Sequence, residues 1–138
     1  MTNPHPNVEL LMKLNLRDLD ASAALFSDGF IWHFFNPKLP DVHGDYVGID
    51  GLKAFFEAMA RKTAGSFNVQ PVSVTPVGNE LLVVHVRDTM DLEGASLETD
   101  AVVVWRIVNG QIAEAWDIPA VFTTPPPLAG NETKTRDP

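Results

Sequence analysis

The sequence contains no cysteine. Disulfides, thiol nucleophiles and thiolate metal sites are therefore excluded. Basic residues are scarce and scattered: 10 Lys and Arg stand against 18 Asp and Glu, for a net charge of −8. A phosphate backbone needs a basic face, so nucleic acid is not an expected partner, and neither is an anionic membrane surface. No apolar run approaches the ~18 residues that mark a membrane span. The opening "MTNPHPNVELLMK" lacks a basic leader followed by an apolar core, and a cytoplasmic location is the resulting expectation. Internal repeats are absent, and the glycines of "GDYVGIDG" fit a turn and the start of a helix better than a phosphate loop.

What is present is apolar enough to fold. With 138 residues and 45% hydrophobic content, the chain has the means for one domain with a substantial core, expected over residues 1–124. The remainder, from "TTPPPLAGNETKTRDP", is Pro-rich and then polar, and reads as a flexible tail over 125–138.

Three segments have helical character. "NVELLMKLN" gathers Val8, Leu11 and Met12 on one face. "DLDASAALF" begins with Asp18, a good N-cap. "DGLKAFFEAMARK" places Leu52, Phe55, Phe56, Met59 and Ala60 at helical spacing. Strand character belongs to "GFIWHFF", between the second and third helices, and to four consecutive segments after residue 65. Turns at Gly78-Asn79, near Gly94 and at Asn109-Gly110 separate those four, the last predicting a type I′ hairpin. The order α-α-β-α-β-β-β-β predicts an α+β fold, with helices covering one face of a curved antiparallel sheet.

One polar residue is awkwardly placed. In "NGQIAEAWDIPAVF" the strand after the hairpin alternates, and Asp117 falls between Trp116 and Ile118 near its far end. Alternation puts Ala113, Ala115 and Asp117 on one face, with Ile112, Glu114, Trp116 and Ile118 on the other. In "LLVVHVRDT", Leu81, Val83, His85, Arg87 and Thr89 share one face; Leu82, Val84, Val86 and Asp88 share the opposite one.

The segments "RDLDASAALFSDGFIWH", "GDYVGIDGLKAFF" and "VWRIVNGQIAEAW", in this order, resemble the SnoaL-like, polyketide-cyclase-like branch of the nuclear-transport-factor-2-like superfamily, over roughly residues 7–122. The resemblance implies a cone: three N-terminal helices packed on a curved, mainly antiparallel sheet that encloses an apolar pocket. It also implies that the outer sheet face forms a homodimer, with Leu82, Val84, Val86, Trp116 and Ile118 at the contact. By likeness to the steroid isomerase members, His85, Arg87 and Asp117 point into the cone, where Ala113 and Ala115 leave room for a ligand.

Three chemistries known on this fold bear on these positions. Steroid isomerases use proton-carrying residues at positions that fall here on Leu10, Phe34 and about Val103, none of which carries a proton. Limonene epoxide hydrolases place an aspartate seven residues beyond the hairpin glycine, which matches Asp117; their Arg-x-Asp falls near His85-Val86-Arg87, where the residue types differ. SnoaL-type cyclases place a single acid–base residue in an apolar pocket, a role open to Asp117, His85 or His33, with Arg87 stabilising an oxyanion. Each has a structural alternative. Asp117 is also readable as a solvent-facing partner of Arg87, His85 as a hydrogen-bonded core residue, and His33 as outward-facing by strict alternation. The expectation is a cofactor-free isomerase, lyase or cyclase acting on a small apolar or cyclic ligand. Trp32, Phe34, Val83, Val103, Trp105, Ala113 and Ala115 would contact that ligand. No metal site is expected, since no sequential ligand spacing such as H-E-x-x-H occurs. The rival is a non-catalytic ligand-binding or dimerisation module.

Overall fold

The β-prone second half pairs with itself in chain order because each connection is a tight turn. Strands β3 (Asn68–Val77), β4 (Leu81–Leu92), β5 (Ala95–Val108) and β6 (Gln111–Pro119) form an antiparallel meander. At the last turn both Asn109 (φ 53°) and Gly110 (φ 77°) occupy the left-handed region, as a type I′ hairpin requires. This is a computed structural model, and it describes residues 5–122. The expected tail, 125–138, lies outside those residues.

Ahead of the meander stand α1 (Pro6–Met12), α2 (Leu19–Ser22), β1 (Phe26–Phe34), β2 (Gly44–Val47) and α3 (Gly48–Lys62). The six strands make one sheet in the order β2-β1-β6-β5-β4-β3. Among the described residues only the β1–β6 pair is parallel. Two expectations need adjustment. The "DLDASAALF" segment is a four-residue helix, capped by Asp18 as predicted, followed by a 3₁₀ turn over Ala23–Leu25. It ends early because the backbone is already extended at Phe26, which buries its ring edge-on against Phe30. The second is β2, formed by four residues read as loop.

Helix α3 lies against β1 and β2 with Leu52, Phe55 and Met59 fully buried. Burying each such side chain is worth about 1.5–3 kcal/mol. Gly51 permits this seating: a Cβ there would stand 2.9 Å from the backbone carbonyl carbon of Tyr46. The core holds an aromatic cluster in which Trp32 meets Phe55 (5.4 Å between centroids) and Trp105 (5.5 Å).

The faces of β4 are the reverse of the resemblance-based expectation. Leu82, Val84, Val86 and Asp88 are buried, while His85 and Arg87 point outward. Register compels this. Val103 pairs with Asp117 on one side and with Val84 on the other, so the even-numbered residues of β4 share Asp117's face. Driving the apolar set inward also stabilises this register over a one-residue slip. Leu82, Val84 and Val86 are consequently core residues and cannot belong to a dimer contact. No helix among the described residues is long and apolar enough to cross a membrane.

Candidate functional site

A cavity of about 150 Å³ lies between the concave sheet face, α1 with the chain that follows it, and α3. Its walls are mostly apolar, including Leu14, Phe56, Val84 and Val103, with Trp32 and Trp105 among the aromatic residues. Two carboxyl groups interrupt this lining: Asp117 from β6 and Asp88 from β4. They are 5% and 6% exposed. Asp117 is flanked in register by Phe34 on β1 and Val103 on β5. Neither neighbour offers a polar side-chain group.

Both acids are incompletely satisfied. The Oδ1 atoms of Asp88 and Asp117, and the Trp32 indole nitrogen, have no hydrogen-bond partner among the described residues. Buried polar atoms normally find partners, so these three are free to bond a group beyond the described residues. Burial pushes the Asp88 carboxyl up to about 7. Asp117 is raised well above the ordinary carboxylate range, first by burial and then by the charge of Asp88. Asp117 is thus shifted toward its neutral, hydrogen-bond-donating form, while Asp88 at about 7 divides between its two forms near neutral pH. Two acids held apart in this way provide a donor and a base in the same chamber.

Several residues proposed from sequence lie elsewhere. His85 Nε2 donates to Asp100 Oδ1 at 2.8 Å on the outer face, and Arg87 Nη2 reaches the same oxygen at 3.3 Å. These bonds hold the Asp100 carboxyl below its usual range, the hydrogen bond from His85 being the largest cause. Neither residue meets Asp117, so the His85–Arg87–Asp117 trio does not exist. Val83 also faces out, because it alternates with the buried Leu82 and Val84. Ala113 takes the extra position at a β-bulge, where the register shifts between Arg106–Glu114 and Ile107–Ile112. This bulge lets both Ile112 and Ala115 turn inward. The room left by Ala115 is filled: it is in register with Trp32 and Trp105, which close over it. Phe34 is buried and lines a second cavity. Of the expected contact residues, Trp32, Val103 and Trp105 do border the chamber of Asp117.

His33 faces outward, as strict alternation of β1 requires. Its ring nitrogens stand 2.7 Å from Asp45 Oδ1 and 2.7 Å from Glu114 Oε2, and the ring stacks on Trp116 with centroids 5.5 Å apart. The Arg106 guanidinium carbon lies 5.4 Å from the centroid of the same indole. Burial lowers the His33 pKa, but hydrogen bonds to Glu114 and then Asp45 outweigh it, so the net shift is upward. This network latches β1, β2 and β6 together on the face opposite the cavity.

Asp88 is the functional candidate that sequence reasoning missed. The signal was present: a lone acid closes an otherwise apolar alternating set, Leu82-Val84-Val86. Among the described residues no cluster of three or more His, Asp and Glu has metal-site geometry.

The SnoaL-like domain profile matches residues 9–115. No curated protein matches the chain. Solved structures do. Bal32a, from a soil-derived mobile gene cassette, is 18% identical with a TM-score of 0.71, the match covering 84% of this chain and 90% of that one. TerC, co-crystallised with polyporic acid, is 20% identical with a TM-score of 0.69, covering 82% and 90%. A protein from Jannaschia sp. CCS1 named for SnoaL-like polyketide cyclases is 19% identical with a TM-score of 0.67, covering 87% and 90%. At these identities the likeness shows a shared fold.

Proposed function

The chain belongs to the SnoaL-like domain family, and from that premise we propose a cofactor-free enzyme that moves protons on a small, largely apolar carbonyl compound. One observation carries the reading: two buried carboxyl groups with unpartnered oxygens face one apolar chamber. Asp88, ionised in an appreciable fraction near pH 7, removes a proton from the carbon next to the carbonyl. Asp117, neutral, donates a hydrogen bond to the carbonyl oxygen as it gains negative charge. Asp88 then returns the proton to a different carbon, giving an isomer, or the enolate adds to a second carbonyl carbon of the same molecule, whose π pair moves to its oxygen and takes up the proton from Asp88, giving a ring. The apolar walls favour a neutral substrate and keep both acids poorly solvated. Opening of an epoxide is a weaker fit, since Arg87 points away from the chamber.

The test is deuterium exchange at the α-carbon of small cyclic ketones, followed by NMR in heavy water. The wild type should accelerate exchange, and Asp88→Asn should reduce it by about 10²–10⁴-fold, the usual share of a positioned base. Exchange that persists undiminished in Asp88→Asn removes Asp88 as the base. A second reading, a binding module without turnover, draws on the closure of Trp32 and Trp105 over Ala115, which leaves a small chamber. Ligand binding with no exchange in any variant would favour it.

The proposal includes a homodimer through the outer sheet face. There Ile118 (48% exposed) and Val102 (37% exposed) stand in register with one another beside the half-buried Trp116.

A further inference from the structure

Asp88 borders two cavities, and Phe67 borders both with it. One is the chamber shared with Asp117. The other, of about 240 Å³, lies between Met59 on α3, Asn36 and Leu39 in the loop after β1, and Met90 and Leu97 on the β4–β5 hairpin. Thr99, directly opposite Asp88 on β5, lines it as well.

Size argues that neither cavity is complete alone. The chamber of about 150 Å³ has the capacity of a single benzene ring. Sites for small molecules usually begin at about 300 Å³, a size the two spaces reach only when joined. Phe67 occupies the connection between α3 and β3, where Ala64 and Gly65 both have positive φ. Its backbone is pinned, its N–H donating to Thr63 Oγ1 at 3.1 Å. Its ring is only half-buried and stands 6.3 Å from the Phe56 ring. Phe67 and Asp88 are the two residues that line both cavities, so the Phe67 side chain is the element whose displacement would join them. The other boundary residue is Asp88, whose Oδ1 is unpartnered.

We propose that the two cavities are halves of one bipartite site, with Phe67 as a movable partition. Its ligand is elongated, with two apolar lobes joined at a carbonyl, and the reacting carbon lies at that junction beside Asp88. The larger lobe occupies the second cavity. The inference rests on the acid–base reading for the role of Asp88, but the division of the ligand into lobes rests on the cavities alone.

Two ketones separate the alternatives. Acetophenone carries one ring on its carbonyl, and deoxybenzoin carries a ring on each side and an acidic CH₂ between. Calorimetry on the full chain should show deoxybenzoin bound at least tenfold tighter. Leu97→Trp, which fills the second cavity from its partly exposed edge, should abolish that preference and leave acetophenone binding in place. Phe67→Ala should strengthen deoxybenzoin binding, a check independent of whether the tryptophan variant folds. Equal affinities in the wild type, or a preference that survives Leu97→Trp, would overturn the bipartite site. Deuterium exchange at the deoxybenzoin CH₂ reports separately on Asp88. Preference without exchange sustains the bipartite site and sinks the acid–base reading; exchange without preference does the reverse.

Discussion

Asp88 and Asp117 face one chamber from strands that are not neighbours, since β5 lies between β4 and β6. The curvature of the sheet, and not a ladder pairing, brings them to a common space. Asp117 feels the charge of Asp88 in this apolar surround, whereas Asp88 is raised by burial alone.

Asp117→Asn should leave the fold intact and lower proton exchange by roughly a hundredfold or more, because an amide is a far weaker donor toward an enolate oxygen. The same variant should melt at an equal or higher temperature than the wild type at pH 8, where ionising a buried acid is costly. Thermal melts and exchange rates on one preparation check both halves. A variant that loses stability but keeps turnover would mark Asp117 as structural.

The pH dependence of stability follows from Asp88. Its carboxyl titrates near 4 when unfolded and at about 7 when folded. Between those values the folded state binds more protons, so the Asp88 contribution falls as pH rises through the window and is gone above it, with Asp117, also raised, adding to the decline. The full difference is on the order of 4 kcal/mol. Denaturant titrations from pH 4 to 8 should show the decline, and Asp88→Asn should make it shallower, the remaining slope being that of Asp117.

His33 gives a second slope that is separable by mutation. Its folded pKa is raised, so its contribution is complete below the unfolded value of about 6.5 and disappears as pH rises through the folded value. His33→Gln should therefore cost stability at pH 5.5 and little at pH 9. Equal destabilisation at both pH values would mean that packing on Trp116, and not charge, is what His33 supplies.

His85→Ala and Arg87→Ala should leave exchange within a factor of about two of wild type, since both lie across the sheet from the chamber. Each ion pair is well exposed, so the loss of stability should stay within about 1 kcal/mol. A large loss of turnover in either variant would contradict the geometry.

Ile118→Glu should convert a dimer to a monomer, since it puts a charge at the centre of the proposed contact. Light scattering at micromolar protein reads the change directly. A wild-type particle of one chain's mass, 15.1 kDa, would remove the dimer.

The fold was legible in sequence wherever local chemistry decides it. The Asn109-Gly110 turn, the Asp18 cap and the spacing of Leu52, Phe55 and Met59 each state their own structure. The site was less legible because it depends on parity between strands. In β4 the two alternating sets are Leu82-Val84-Val86-Asp88 and Val83-His85-Arg87, and polarity alone sends the first inward. The family analogy pulled the second set in instead, and Asp88 went out with the apolar residues it accompanies. The bulge at Ala113 was invisible for a related reason. Nothing local distinguishes it from a regular strand residue; it exists because Ile112 and Ala115 both find space in the core.

The parallel pairing of β1 with β6 joins segments some 85 residues apart, as Phe26 opposite Ile112 illustrates. On a growing chain, β1 with its buried Phe30 and Trp32 must wait until nearly the whole domain has been made before its central neighbour arrives. Until then it has only the short β2 beside it, and an apolar edge is left open to stray pairing. Asp117 comes with that final strand. The chamber thus gains its second acid in the step that closes the sheet, and synthesis stopped short of β6 would yield a sticky half-sheet instead of a folded domain lacking one strand.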